Sequence, residues 1–73
     1  MLKTIRQLRE ERNWSQYDLA GKVGVTPSTV YNWERGKFEL RYLQMRALAF
    51  AFDVAMDDIA PTEAELEKVK TAA

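Results

Sequence analysis

Apolar residues recur at intervals of three and four along most of the chain, the periodicity of amphipathic helices. The clearest stripes fall at positions 2, 5 and 8 and at positions 42, 45, 48, 49 and 52. The pattern predicts helices over residues 2–12, 15–23, 27–35 and 41–52, a helical turn at 56–59 and a terminal helix over 62–69. The predicted fold is therefore all-α, a compact five-helix domain followed by a short sixth helix.

Residues suited to helix ends support these boundaries. Ser15 precedes the second helix and has Asp18 three positions later, which resembles a capping box. Thr26 and Pro27 suit the start of the third helix, and Gly24 suits the end of the second because glycine readily adopts positive φ. Nothing resembling a linker interrupts this series, so we expect one domain over residues 1–60 and a tail over 61–73.

The stretch SQYDLAGKVGVTPSTVYNWERGK, residues 15–37, carries the functional signal. Two helices of about eight residues are joined through Gly24, and Val25 follows where an apolar residue would fill the corner. This arrangement is typical of a helix-turn-helix, in which two short helices cross steeply.

A larger set of residues sits at fixed spacing in and around this stretch: Leu8, Arg9, Arg12, Ser15, Gln16, Leu19, Ala20, Val23, Gly24, Val25, Thr26, Ser28, Val30, Glu34, Arg35, Gly36, Lys37, Ala49, Phe52, Val54 and Ile59. In these residues the chain resembles the lambda-repressor-like (XRE) helix-turn-helix family. The resemblance implies a five-helix domain over residues 2–59 that binds double-stranded DNA. It also implies a homodimer, since such domains commonly dimerise around their fourth and fifth helices. The chain departs from the pattern at Asp53, where the family has a glycine, and at Leu40, where it has a proline nearby.

The third predicted helix has two faces. One side carries Val30, Trp33 and Glu34. The other side is polar, with short side chains at its N-terminal end, as an element inserted into a major groove needs. The predicted base-reading residues on that side are Pro27, Ser28, Tyr31 and Asn32. A solvated helix face is the alternative interpretation, and the surrounding motif favours base reading.

Charge is unevenly distributed although the formal net charge is zero. Residues 1–41 hold eight Lys/Arg against five Asp/Glu, whereas residues 42–73 hold three against six. The basic half contains the motif, and its predicted phosphate contacts are Gln16, Arg35, Lys37 and Arg41. The alternative for Gln16 is an ordinary surface glutamine.

Arg9 and Glu34 are charged, yet both fall on the apolar stripes of their helices. Because an isolated buried charge is costly, mutual pairing is the simplest resolution. The resemblance implies the same pair. We therefore predict a structural ion pair that fixes the angle of the third helix.

The fourth helix carries more apolar surface than one core stripe requires. Leu43, Ala47 and Phe50 form a second stripe, and surplus apolar surface on a small domain usually indicates a partner. The predicted dimer or partner surface comprises Leu43, Phe50, Ala55, Met56 and Ile59. The alternatives are cover by the tail through Leu66 and Val69, or scattered exposed residues without a role.

The composition argues against catalysis and metal binding. The chain has no cysteine and no histidine, which removes thiolates, the commonest metal ligands and the commonest general base. We expect no enzyme activity, no metal, no cofactor, no small-molecule ligand, no membrane span and a cytoplasmic location. The predicted function is a dimeric repressor that reads the major groove of DNA with the helix at about residues 27–35. The alternative is an antitoxin that binds a partner toxin and represses its own operon.

Overall fold

The computed structural model describes residues 2–37 and 39–60, and this part of the chain is mostly helical. It contains four α-helices and one 3₁₀ turn, with a two-residue parallel strand pair. In chain order the elements are β1 (Lys3–Thr4), α1 (Ile5–Glu11), α2 (Gln16–Val23), α3 (Pro27–Glu34), α4 (Tyr42–Phe52), the 3₁₀ turn (Met56–Asp58) and β2 (Ile59–Ala60). The helices agree with an all-α helix-turn-helix domain, and the sixth helix predicted at residues 62–69 lies outside the described residues.

The first helix begins three residues later than the periodicity predicts. Thr4 is its N-cap: the Thr4 hydroxyl accepts a hydrogen bond from the Gln7 backbone at 3.1 Å, and the Thr4 backbone donates to the Gln7 side chain at 2.8 Å. The residues before the cap are extended, and β1 pairs in parallel with β2 with Lys3 opposite Ile59. The prediction of a helix from residue 2 is therefore wrong, because the cap and the strand pairing determine the backbone there.

The remaining helix boundaries follow the predicted signals closely. Ser15 and Asp18 form the reciprocal capping box of α2, and Gly24 ends that helix at φ 74°. Thr26 caps α3, which has Pro27 in its first turn. Asp53 ends α4 at φ 58°, so it takes the left-handed conformation that a glycine adopts more readily. The predicted fifth helix is a single 3₁₀ turn.

The core draws buried apolar side chains from every α-helix and from β2: Ile5, Leu8, Leu19, Ala20, Val30, Trp33, Leu48, Ala49, Phe52 and Ile59. Val25, at the turn between α2 and α3, packs against this core, as does Leu40 from the loop before α4. Tyr42, predicted in the core stripe of α4, is instead exposed. None of the described helices has the length and apolar character needed to span a membrane.

Candidate nucleic-acid interface

Helix α3 presents a polar face to solvent while its other face is anchored in the core. Val30 and Trp33 are buried, whereas Ser28, Tyr31 and Arg35 are exposed and Asn32 is half-buried. The helix start is fixed by Thr26, whose hydroxyl accepts from the Thr29 backbone at 3.2 Å. The cap thus fixes where α3 begins, and polar side chains occupy the side that faces away from the core.

Two of the predicted contact residues are in contact with each other. The Arg35 guanidinium lies 5.1 Å from the centre of the Tyr31 ring, in cation–π geometry. Tyr31 and Arg35 are one turn apart on α3, so each restricts the rotamers of the other. A cation at the end of this helix is therefore held close to the predicted base-reading face.

Arg9 and Glu34 form a two-point ion pair between α1 and the end of α3. Arg9 Nε lies 2.8 Å from Glu34 Oε2 and Arg9 Nη2 lies 3.0 Å from Glu34 Oε1. The side chains are only 12% and 7% exposed. The third donor, Arg9 Nη1, reaches the carbonyl oxygen of Trp14 at 2.9 Å, so the guanidinium ties α3 both to α1 and to the chain just before α2.

The hydrogen bond with Glu34 raises the pKa of Arg9 above its ordinary value, although burial acts in the opposite direction. Arg9 therefore remains charged at all pH values at which the domain is folded. Its interaction with Glu34 also neutralises the one carboxylate on α3.

Gln16 lies at the first position of α2, beside this ion pair. Its side-chain amide donates to Glu34 Oε1 over 3.4 Å, and together with Arg6, Arg9, Tyr31, Glu34 and Arg35 it lines a groove of about 280 Å³. The structure thus places Gln16 among the cations of α1 and the exposed end of α3. The free amides of a helix N-terminus attract anions, which makes this location suitable for a phosphate.

Lys37 and Arg41 flank the loop that leaves α3, and both are exposed. Arg41 is the N-cap residue of α4, where its backbone N–H donates to the Gln44 side chain at 3.0 Å. This bond fixes the Arg41 backbone at the start of α4. Glu39, also exposed, lies in the same loop and lines a groove with Arg41 and Trp33, so the positive charge of this edge is partly offset.

The residues predicted as a dimer or partner surface differ in their exposure. Leu43 and Phe50 lie in a groove with Lys22, Val23, Arg46 and Ala47, and neither Ala55 nor Met56 lines it. Ala55 is exposed and Met56 packs partly against the core. Ile59 is buried in the core and paired within the strand ladder, so its side chain does not offer a surface to a partner, contrary to the prediction.

Sequence reasoning missed the role of Arg12, which connects the end of α1 to the end of α4. Its guanidinium donates to the carbonyl oxygens of Leu8 at 2.9 Å and of Phe52 at 2.5 Å, capping the last turn of α4. Trp14 stacks on Phe52 with ring centres 5.7 Å apart, and Lys22 Nζ lies 4.6 Å from the Trp14 ring. A cation placed on an otherwise apolar stripe of the first helix was the available signal.

In the described part of the chain no group of three or more acidic, histidine or cysteine side chains is placed to hold a metal ion. A protein-family model described as helix-turn-helix matches residues 5–59. No curated protein and no solved structure matches the chain.

Proposed function

The chain belongs to the lambda-repressor-like helix-turn-helix family, a family of DNA-binding regulatory domains and not of enzymes, and from this premise we propose that it is a dimeric repressor that reads DNA with α3. The observation that carries the proposal is the geometry of α3. The side chains on its polar outer face are short at the N-terminal end, and its cations lie at the C-terminal end. The Arg9–Glu34 pair links it to α1, and this contact supports a fixed angle between α3 and the rest of the domain. We infer that α3 enters the major groove as one rigid element.

Base reading is assigned to the first two turns of α3. Asn32 has the donor and acceptor needed to pair with both N6 and N7 of an adenine, and Ser28 can bond either a donor or an acceptor. Pro27 offers no hydrogen bond and suits a thymine methyl or a sugar. Tyr31, held by Arg35, is placed to touch a thymine methyl or a phosphate.

Phosphate contacts are assigned to Gln16, Arg35, Lys37 and Arg41 at the edges of this face. Each neutralised phosphate contributes about one unit to the slope of log affinity against log salt concentration. Fluorescence anisotropy on a selected duplex tests the assignment. Arg35→Ala and Arg41→Ala should each reduce the slope by about one unit. Lys22→Ala, which removes the same charge from the α2–α4 groove, is the matched control and should leave the slope unchanged. Equal slopes for all three variants would contradict the assignment.

Dimerisation is proposed through the segment after α4. Ala55 is exposed and Met56 is half-buried there, so this end of the domain can contribute apolar area to a two-fold contact. On a duplex with a two-fold site, sedimentation equilibrium should give the mass of two protomers plus one duplex. Ala55→Asp should lower the binding cooperativity without unfolding the domain. A single protein bound per two-fold site would contradict the dimer.

A protein-binding antitoxin is the second candidate function. It is favoured by Leu43 and Phe50, which are 72% and 88% exposed. Co-expression with the product of a neighbouring toxin gene separates the candidates. A stable stoichiometric complex that is lost in Phe50→Asp supports the antitoxin, whereas independent purification of the two proteins argues against it.

A further inference from the structure

The groove between the end of α2 and the outer face of α4 is not explained by DNA binding. Its floor is apolar: Val23 comes from α2, and Leu43, Ala47 and Phe50 come from α4. Leu43 and Phe50 are 72% and 88% exposed, so the largest apolar side chains of the groove face solvent in the described part of the chain. Surfaces of this kind usually bind another segment.

The charge of the groove restricts what can cover it. Lys22 and Arg46 line it, one from each helix, and no carboxylate lies among its lining residues. Neither cation forms an ion pair within residues 2–37 and 39–60. An apolar floor beside two cations favours an amphipathic segment that is acidic around its apolar side chains.

A second copy of the same groove fits this requirement poorly. A two-fold contact presents identical surfaces to each other, so Lys22 and Arg46 of one copy would face the same cations of the other. Like charges brought together at a contact are unfavourable. The occupant must therefore bring negative charge that the groove itself lacks.

We propose that residues 62–69 of this chain are that occupant, with Leu66 and Val69 seated against Leu43 and Phe50. Leu66 and Val69 are three positions apart, so they share one face of the helix that the sequence predicts there. Residues 62–69 carry three acidic groups, Glu63, Glu65 and Glu67, against one cation, Lys68, and two of the acidic groups flank Leu66 directly. The segment thus supplies acidic groups on both sides of the apolar residue that enters the groove.

The proposed occupant is tethered to the domain that carries the groove. The sequence continues for thirteen residues beyond Ala60, and only Pro61 separates Ala60 from residues 62–69. Because the segment is tethered, its effective concentration at the groove is in the millimolar range, far above that of a second molecule in dilute solution.

The direct test is a nuclear Overhauser experiment on the full 73-residue chain at low concentration. Cross-peaks are expected between the Phe50 ring and the methyl groups of Leu66 and Val69. They should persist when labelled protein is diluted with unlabelled protein, because the contact is intramolecular. Absence of these cross-peaks, or their appearance only between labelled and unlabelled molecules, would overturn the proposal; the second result would identify another copy as the occupant.

A matched pair of variants adds a second readout. Leu66→Asp should abolish the Val69–Phe50 cross-peaks and increase binding of a hydrophobic dye severalfold, whereas Thr71→Asp, with the same added charge outside the docking segment, should change neither. Equal effects of the two substitutions would contradict a specific role for Leu66. The proposal does not depend on DNA binding, so DNA affinity measured on the same samples reports the function of α3 separately.

Discussion

Replacing Glu34 with alanine tests the claim that the ion pair holds α3. The substitution removes two charge-assisted hydrogen bonds, at 2.8 and 3.0 Å, from a guanidinium that is 12% exposed. Breaking a buried pair by deleting one partner costs about 3–5 kcal/mol. Arg9 keeps its bond to the Trp14 carbonyl and some access to water, so we expect the lower end, about 3 kcal/mol. For a domain of this size that corresponds to a fall in Tm of roughly 12–24 °C.

The measurement is urea unfolding followed by circular dichroism at 222 nm. The matched control is Glu10→Ala, which removes a carboxylate paired with Arg6 at 3.4 Å, where both side chains are more than half exposed. That loss should be below about 1 kcal/mol. The double variant Arg9→Met, Glu34→Met should recover most of the stability, because it removes the uncompensated charge. A Glu34→Ala loss no larger than the Glu10→Ala loss would refute a stabilising role for the pair.

Three further predictions concern base reading, the two glycines in and after α2, and the capping box of α2. Asn32→Ala should cost about 1–3 kcal/mol of binding free energy on the preferred site and little on random DNA; an anisotropy titration showing equal losses on both would contradict base reading. Gly21→Ala should raise the free energy of unfolding by about 0.5–1 kcal/mol, because it removes a glycine from inside α2. Gly24→Ala should lower the free energy of unfolding by about 1 kcal/mol or more, because φ is 74° there. Space is open around the added Cβ at both positions, so urea titrations giving the same sign for both variants would refute the backbone argument. Finally, hydrogen bonds from Ser15 lower the pKa of Asp18. The stability that these bonds confer is therefore complete above the ordinary carboxyl pKa, and it is lost as pH falls through the lowered pKa of Asp18 in the folded state. The advantage of the natural chain over Asp18→Ala in urea should therefore shrink below about pH 4, and an advantage independent of pH would contradict the argument.

Much of the fold was predictable because it depends on local signals. The capping box of Ser15 and Asp18, the Thr26 cap with Pro27, and the left-handed Gly24 each require only neighbouring residues. The start of α1 was missed although Thr4 and Gln7 also have the spacing of a capping box. The parallel pairing of β1 with β2 joins residues more than fifty positions apart, and strands of two residues leave no periodicity to detect.

The candidate site was less completely predictable. Pairing of Arg9 with Glu34 could be inferred from two charges on apolar stripes. The contact of Arg35 with Tyr31 and the bond from Gln16 to Glu34 depend on rotamers and on how helices cross, which periodicity does not determine. Tyr42 shows the same limit, because a helical stripe indicates which residues share a face and does not decide which of them tertiary packing buries. Ile59, predicted on a surface, is buried because β2 pairs with β1 in the core.

The most direct test of the central claim is selection of the purified protein against a pool of random duplex DNA at near-physiological salt. A dimer that reads the major groove with α3 should enrich a two-fold-symmetric site whose half-sites are about one helical turn apart. Repeating the selection with Asn32→Ala should relax the preference at one position in each half-site. Binding that is weak, sensitive to salt and free of sequence enrichment would contradict the assignment of α3 as a reading helix.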